Sequence, residues 1–175
     1  MKFVIAVTNV HWFEFLRTRA PQANEVNFWG RGAVNLERGT PWLFKLKGHD
    51  VVCGGGFYTN SISLPLTVAW DMYGEQNGAA SLHDFQSDTG RSLGDEIACR
   101  TLAEPFFWER AQWLPKPPRW ASSGIQSRKY YDTADPDAAA YWALVAAQLP
   151  KKISLAAAIP AGYWMRISSA LGSDG

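Results

Sequence analysis

The sequence has no excess of charge of either sign. Its 17 Lys and Arg residues are balanced by 16 Asp and Glu residues, which leaves a net charge of +1 at neutral pH. Proteins that bind nucleic acid mainly through the phosphates usually present a strongly basic surface. Any contact with nucleic acid therefore has to come from a local basic patch, and not from the charge of the whole chain.

Cysteines and long apolar runs are also scarce. Cys53 and Cys99 lack the paired spacing of a zinc site, and two cysteines are too few for the disulfide scaffold of a small secreted protein. No apolar stretch approaches the length of a membrane-spanning helix, and residues 2–7 predict a strand rather than a signal peptide. We expect a soluble, cytoplasmic protein with no membrane partner.

Catalytic and cofactor motifs are missing. The three glycines at 54–56 are not followed by the Lys-Ser/Thr of a phosphate loop and lack the spacing of a dinucleotide fingerprint. No Gly-x-Ser-x-Gly nucleophile motif occurs, and the histidines, His11, His49 and His83, are scattered. We therefore expect no catalytic residue, no cofactor and no metal ion in this chain.

Aromatic residues, in contrast, are abundant. The chain contains nine Trp residues, and 175 residues suffice for one domain with a full hydrophobic core. A core of this size rarely accommodates nine tryptophans, since Trp is bulky and carries an N–H group that needs a partner. We expect two or three of them to line a groove or pocket.

Hydrophobic patterning and cap signals predict an α+β domain over residues 1–150, built as a small curled mixed β-sheet or β-barrel with flanking helices. Predicted strands or extended segments cover residues 3–8, 25–31, 42–47, 51–59 and 97–102, and predicted helices cover 12–17, 66–73, 81–89 and 136–149. Residues 105–120 are expected to form an ordered loop across the sheet, and residues 126–132 a short strand or a basic loop. The Ala-, Ser- and Gly-rich residues 151–175 are expected to be a linker or a divergent tail.

Several ordered blocks carry a resemblance to a known family. They are residues 4–9 with Trp12, 25–29, 39–46, 52–57, 64–66 with Ala69 and Trp70, 74–78 and 105–107. In this order they resemble the N-terminal region of bacterial HNH endonucleases, or predicted restriction endonucleases, and the layout is similar to the PUA superfamily, including its EVE members. The resemblance implies a module that senses a modified, flipped base while a fused HNH module cuts. This chain lacks the clustered histidines of such a nuclease, so residues 151–175 would lead towards an absent HNH module.

A flipped base needs flat aromatic walls and small polar groups that reach its Watson–Crick edge. Residues that offer both follow the predicted strands, and we expect the strand ends to converge on one slot. The candidates for base contact are Asn9, Trp12, Asn27, Trp29, Phe57, Tyr58, Ser61 and Ser63. The alternative for each aromatic residue is a place in the core, and for each asparagine a turn or helix cap.

Five basic residues are candidates for phosphate contact: Arg17, Arg19, Arg31, Arg128 and Lys129. The alternative is that they form solvated surface or surface ion pairs. Arg31 is the most suggestive, because it lies between Gly30 and Gly32, where a tight loop can extend a guanidinium into a groove.

Three functions are compatible with these features. The first is a module that binds double-stranded DNA with a modified base and directs a fused or associated HNH nuclease in modification-dependent restriction. The second is a PUA-type RNA-binding module, which would prefer single-stranded or structured RNA. The third is an interaction domain for a protein or small ligand, favoured by the near-zero net charge, whose binding would not fall steeply with added salt.

Overall fold

The computed structural model describes residues 1–19, 24–121 and 127–151. In these ranges the chain forms seven strands, four α-helices and two 3₁₀ turns. In chain order they are β1 (Lys2–Thr8), α1 (Val10–Arg19), β2 (Glu25–Asn27), β3 (Pro41–Leu46), β4 (Val51–Pro65), α2 (Leu66–Tyr73), a 3₁₀ turn (Gly74–Asn77), α3 (Leu82–Thr89), β5 (Glu96–Phe107), a 3₁₀ turn (Arg110–Gln112), β6 (Leu114–Pro115), β7 (Arg128–Asp132) and α4 (Pro136–Gln148).

The seven strands form one mixed sheet. Six of them lie in the order β2-β5-β4-β3-β1-β7, and β6 pairs with the start of β4. The β1–β3 pair is parallel, whereas the other pairs are antiparallel. The predicted α+β class with a small mixed sheet and flanking helices is confirmed.

Helices cover both faces of the sheet, and the side chains of β1 point alternately to one face and to the other. Val4 and Ala6 belong to a cluster with the buried face of α1, which we call the α1-side cluster. Phe3 and Ile5 point the other way and pack with α4, in the α4-side cluster. Both faces of β1 are therefore buried, as expected for a strand that has a parallel neighbour inside a sheet.

A third cluster lies where α2 and α3 pack against the C-terminal end of β4 and the N-terminal end of β5. It consists of Leu66, Ala69, Tyr73, Ala79, Phe85, Ile97 and Cys99. Ser81 caps α3, since its Oγ accepts a hydrogen bond from the Asp84 backbone N–H at 3.1 Å. This α2–α3 cluster supports the candidate site described below.

The three glycines of β4 allow backbones to approach closely. A Cβ at Gly54 would lie 2.3 Å from the carbonyl oxygen of Phe106, and one at Gly55 would lie 2.7 Å from that of Trp42. No side chain fits at such distances, so glycine is required at residues 54 and 55 for the neighbouring strands to pass this closely.

Most predicted elements occur, but two strands are longer than their patterns indicate. β4 continues to Pro65 instead of ending at residue 59, and β5 runs from Glu96 to Phe107. The predicted loop at 105–120 therefore begins as strand and later contributes β6. Residues 128–132 form β7, so the strand is the correct one of the two alternatives for this segment, and α4 begins at Pro136, as predicted, with Asp135 as its cap.

The predicted linker lies, apart from Lys151, outside the described residues, and its role stays a prediction. None of the helices in the described ranges is long and apolar enough to cross a membrane.

Candidate functional site

An open cleft lies between the loop that follows β2 and the end of α3. Its volume is about 360 Å³, which is at the small end of ligand sites in proteins. The cleft is lined by Trp29, Gly30, Arg31, Thr89, Gly90, Arg91, Asp95 and Ile97. It combines one aromatic wall, two arginines, one carboxylate and exposed glycine backbone.

The indole of Trp29 is held in place from behind. Its Nε1 donates a hydrogen bond to the backbone oxygen of Asn77 at 2.8 Å. Its ring packs edge-on against the ring of Phe85, with 5.9 Å between the centroids and 68° between the planes. Trp29 is therefore a half-buried, oriented wall of the cleft and not a freely rotating surface residue.

A buried pair of amides connects this wall to the sheet. Asn27 Nδ2 donates to Asn77 Oδ1 at 2.8 Å, and Asn27 Oδ1 accepts from the backbone N–H of Arg100 at 3.0 Å. Asn77 Nδ2 also donates to the backbone oxygens of Ala69 at 3.1 Å and Gly74 at 2.9 Å. Asn77 was not among the candidates; the sequence signal for it is the Asn-Gly pair of a turn, formed with Gly78, whose φ is +80°.

Arg100 on β5 holds the loop that forms the cleft. Its Nη2 donates to the backbone oxygens of Arg31 and Gly32, both at 2.6 Å, and its Nη1 donates to that of Phe28 at 3.3 Å. Burial lowers the pKa of Arg100 to about 10, with a further lowering from nearby Arg128. Arg100 is therefore charged at neutral pH. It was also missed, although an arginine inside an otherwise apolar predicted strand was a visible signal.

The arginines of the cleft wall carry no recorded ion pair within the described ranges. Arg31 is exposed, and Arg91 Nη1 donates to the backbone oxygen of Glu96 at 2.9 Å. The carboxylate of Asp95 accepts a hydrogen bond from the Ser92 backbone N–H at 2.8 Å. The cleft is therefore positive on balance, in a chain that is nearly neutral.

The fold is similar to that of ASCH domains. Two variants of the ZmASCH protein of Zymomonas mobilis superpose on this chain with TM-scores of 0.51 and 0.50, at 12% and 11% sequence identity. The first comparison covers 82% of this chain and 97% of that protein, and the second covers 81% and 94%. No family model and no curated protein sequence matches the chain. At this identity the likeness shows the fold alone, and it agrees with the predicted class, an α+β domain with a small mixed sheet.

Two aromatic residues predicted to contact a base lie in the interior of this ASCH-like fold, and one asparagine serves as a helix cap. Trp12 is 3% exposed and donates from Nε1 to the backbone oxygen of Asn27 at 3.1 Å. Tyr58 is 4% exposed and its hydroxyl donates to the backbone oxygen of Val34 at 3.0 Å. Asn9 caps α1, since its Oδ1 accepts from the backbone N–H of His11 at 2.8 Å.

The remaining candidates lie within the long strand β4 and are not part of the cleft lining. Phe57 is half-buried and packs beside the α4-side cluster, whereas Ser63 is exposed. Ser61 Oγ is buried and has no hydrogen-bond partner among the described residues. Of the eight residues predicted to surround a base, the structure places only Trp29 in the cleft. Asn9, Trp12 and Asn27 are engaged in a helix cap or in the interior, and the four candidates at 57–63 lie on β4, which runs on for six residues past the predicted strand end.

The predicted phosphate-binding residues fall into two groups. Arg31 lines the cleft, and Arg128 lies near it, with Nη2 3.9 Å from the place where a Cβ of Gly32 would be. The other three are engaged elsewhere: Arg17 pairs with Glu14 and Glu109, Arg19 pairs with Glu75 and stacks on Phe15, and Lys129 donates to the backbone oxygen of Arg119 and lies over Tyr131.

Proposed function

We propose that this protein is a nucleic-acid-binding module that takes a single base into the cleft beside Trp29. The observation that carries the proposal is the combination, in one cleft of about 360 Å³, of an oriented indole with Arg31 and Arg91. A base stacked on an aromatic side chain gains about 1–3 kcal/mol. Arginines at the rim can contact the phosphates on either side of that base.

The partner we propose is double-stranded DNA that carries a modified base, flipped out of the helix into the cleft. This choice is supported by the resemblance of residues 1–149 to the N-terminal region of HNH endonucleases, and it makes the protein the targeting module of a fused or associated nuclease. The ASCH-like fold fits a base-binding role without deciding between DNA and RNA. Unpairing a base costs a few kcal/mol, and this cost falls where the base pair is already weakened.

Binding measured by fluorescence anisotropy tests the proposal. The probes are labelled duplexes with 5-methylcytosine, 5-hydroxymethylcytosine or N6-methyladenine, the matching unmodified duplex, and an RNA hairpin. We expect at least tenfold tighter binding to one modified duplex than to the unmodified one. Equal, weak binding to every duplex would contradict DNA base recognition, and a preference for the hairpin would indicate an RNA-binding module.

Trp29→Leu and Trp70→Leu form a matched pair for the same assay. Both indoles are half-buried and both pack against Phe85, with centroid distances of 5.9 Å and 6.1 Å, but only Trp29 lines the cleft. Loss of one stacked base predicts about a tenfold or greater drop in affinity for Trp29→Leu. Trp70→Leu should lose similar thermal stability and keep its affinity. A folded Trp29→Leu variant with unchanged affinity would contradict the proposal.

A further inference from the structure

We propose that the cleft contains a phosphate subsite on the side of residues 30–32, with Arg31 and Arg91 at its walls and the buried Arg100 beneath its floor. That the phosphate belongs to a nucleotide rests on the proposed function. The anion site itself is argued from the geometry and charge of this loop, and it can be tested without nucleic acid.

The guanidinium of Arg100 lies directly under the loop. A Cβ placed on Gly30 would be 2.9 Å from Arg100 Nη1, so only the glycine backbone separates the buried charge from the cleft. Arg100 is 2% exposed, and the groups that its side chain contacts by hydrogen bond are three neutral carbonyl oxygens. Its Nε is buried without a partner among the described residues. No carboxylate is recorded in hydrogen-bond or ion-pair contact with it in those ranges.

Other cations surround the same loop. Arg31 and Arg91 line the cleft. Arg128 lies beside Gly32, and its charge contributes to the lowered pKa of Arg100. The carboxylate that lines the cleft, that of Asp95, already accepts a backbone hydrogen bond. Four guanidinium groups therefore meet around three residues of loop. An anion in the cleft would offset this charge, which is costly to bury uncompensated.

A purely structural role for Arg100 explains less of this arrangement. Its three carbonyl contacts account for the shape of residues 28–32, and a neutral donor could share that task. The carbonyl contacts of Arg100 do not explain why Arg31, Arg91 and Arg128 lie near the same loop. None of these three forms an ion pair with an acidic side chain among the described residues. Like charges that approach one another destabilise the protein, so their convergence points to a ligand of opposite charge.

The position of α3 places the anion on the loop side of the cleft. The helix ends at Thr89, and Thr89 and its cap Gly90 line the wall opposite residues 30–32, so the partial negative charge of the helix C-terminus lies at that wall, beside Arg91. That wall favours guanidinium groups and disfavours phosphate. On the loop side, the backbone of Gly30 lines the cleft without a side chain of its own, next to Arg31.

Calorimetric titration of the full chain with inorganic pyrophosphate tests the subsite, with the uncharged nucleoside deoxycytidine as a second ligand. We expect pyrophosphate to bind with a millimolar or lower dissociation constant. Arg31→Gln and Arg91→Gln should each weaken binding about five- to tenfold through loss of charge-assisted hydrogen bonds. Arg110→Gln is the matched control, because Arg110 is exposed and stacks on Trp113 away from the cleft lining, and its affinity should stay within about twofold of the original.

Arg100→Lys separates charge from loop position. Lysine keeps the buried charge, but its single ammonium group cannot reproduce the three carbonyl contacts of the guanidinium fork. We expect a folded Arg100→Lys protein to bind pyrophosphate about tenfold more weakly, with altered tryptophan fluorescence, because the Arg100 guanidinium lies 5.8 Å from the ring centroid of Trp42. If this variant does not fold, the Arg31 and Arg91 variants still decide the outcome.

Failure of pyrophosphate to bind, or equal binding by the Arg31→Gln, Arg91→Gln and Arg110→Gln variants, would overturn the subsite. These outcomes are distinct from failure of the proposed function. Pyrophosphate binding with no nucleic-acid binding leaves an anion site with another ligand. Nucleic-acid binding that requires Trp29 but ignores Arg31 and Arg91 leaves a base pocket without the phosphate subsite.

Discussion

Glycines occur in two segments of this protein with opposite surroundings. Residues 54–56 are buried in the middle of the sheet, where a Cβ on Gly54 would lie 2.3 Å from a backbone oxygen. Gly30 and Gly32 lie at the cleft, where the nearest atoms to an added Cβ are the ends of arginine side chains, at 2.9 Å and 3.9 Å. The first segment allows backbone to pack on backbone, and the second lets a loop lie directly against a buried charge.

This difference shows that a glycine's role depends on what occupies the space its missing side chain leaves. In β4 that space is filled by neighbouring strands, so the segment contributes to stability. At Gly30 it is filled by the guanidinium of Arg100, and at Gly32 only the end of the Arg128 side chain comes within 4 Å, so this loop packs against arginine side chains and not against backbone. Substitutions in the two segments should therefore affect different properties.

The largest effect is expected from Gly54→Ala. The added methyl group would overlap the Phe106 carbonyl oxygen and force β5 away from β4, so we expect a loss of about 3 kcal/mol or more of unfolding free energy, or failure to fold. Urea denaturation measures it. Gly94→Ala is the control, because nothing lies within 4 Å of its Cβ position, and it should change stability by less than about 0.5 kcal/mol. Equal stability of the two variants would show that β4 does not require glycine at residue 54.

Asn77→Ala tests whether the cleft depends on the buried amides behind it. The change leaves the buried Asn27 Nδ2 without its acceptor and removes the side-chain donor to the carbonyls of Ala69 and Gly74, which predicts a loss of about 2–3 kcal/mol. The exposed Asn60 provides a control, and Asn60→Ala should be close to neutral. Thermal unfolding followed by circular dichroism distinguishes the two variants, and a neutral Asn77→Ala would show that the amide pair is not needed.

Alkaline pH should weaken the tightly packed region around β4 and α4. Burial raises the pKa of Tyr131 to about 12 and raises the pKa values of Tyr141 and Cys53 still further. Groups with a raised pKa stabilise the fold fully below their unfolded values, near 9–10, and lose this contribution as the pH rises towards the folded values. Arg100, with a lowered pKa of about 10, acts in the opposite direction, but it is outnumbered by the raised groups, which also include Tyr73 and Cys99.

We therefore expect the unfolding free energy to be nearly constant with respect to these groups below pH 9 and to fall by about 1–2 kcal/mol between pH 9 and pH 10.5. Urea denaturation across this range measures the fall. Tyr141→Phe should make it shallower, because that variant lacks one of the raised phenols. A stability that rises above pH 9 would contradict the assignment.

The smallest effect on stability is expected from Gly30→Ala. Its methyl group would press on the Arg100 guanidinium, which can shift slightly, so the cost should be below about 1 kcal/mol. Affinity for pyrophosphate should nevertheless fall about tenfold, because the loop above Arg100 is displaced. Calorimetry and thermal unfolding of the same sample measure both effects. Unchanged affinity would separate this loop from ligand binding.

Local signals predicted much of the fold correctly. The predicted helix at 66–73 coincides with α2, the helices predicted at 81–89 and 136–149 occur as α3 and α4, and the strands predicted at 42–47 and 51–59 occur within β3 and β4. Strand ends were less predictable. β4 and β5 pair over ten registered positions, and this long-range pairing extends both strands beyond their own patterns.

The candidate site was predicted only in part, for the same reason. Trp29 and Arg31 were among the predicted residues and line the cleft, but Asn77, Arg91 and Arg100 were not. An Asn-Gly turn and an arginine within a strand are visible in the sequence, but the sequence does not show which groups these side chains contact. Their importance arises from contacts between residues that are 50 or more positions apart in the chain, such as Asn27 with Asn77.

The sequence by itself determined the α+β class, the helix caps and the need for glycine at residues 54–56, because these follow from periodicity, backbone conformation and side-chain volume over short stretches. Only the tertiary structure decided which tryptophan faces a cleft and which arginine lies buried beneath it. Burial and charge compensation are properties of a neighbourhood, and that neighbourhood exists only after β2, β5 and the α2–α3 region have packed together.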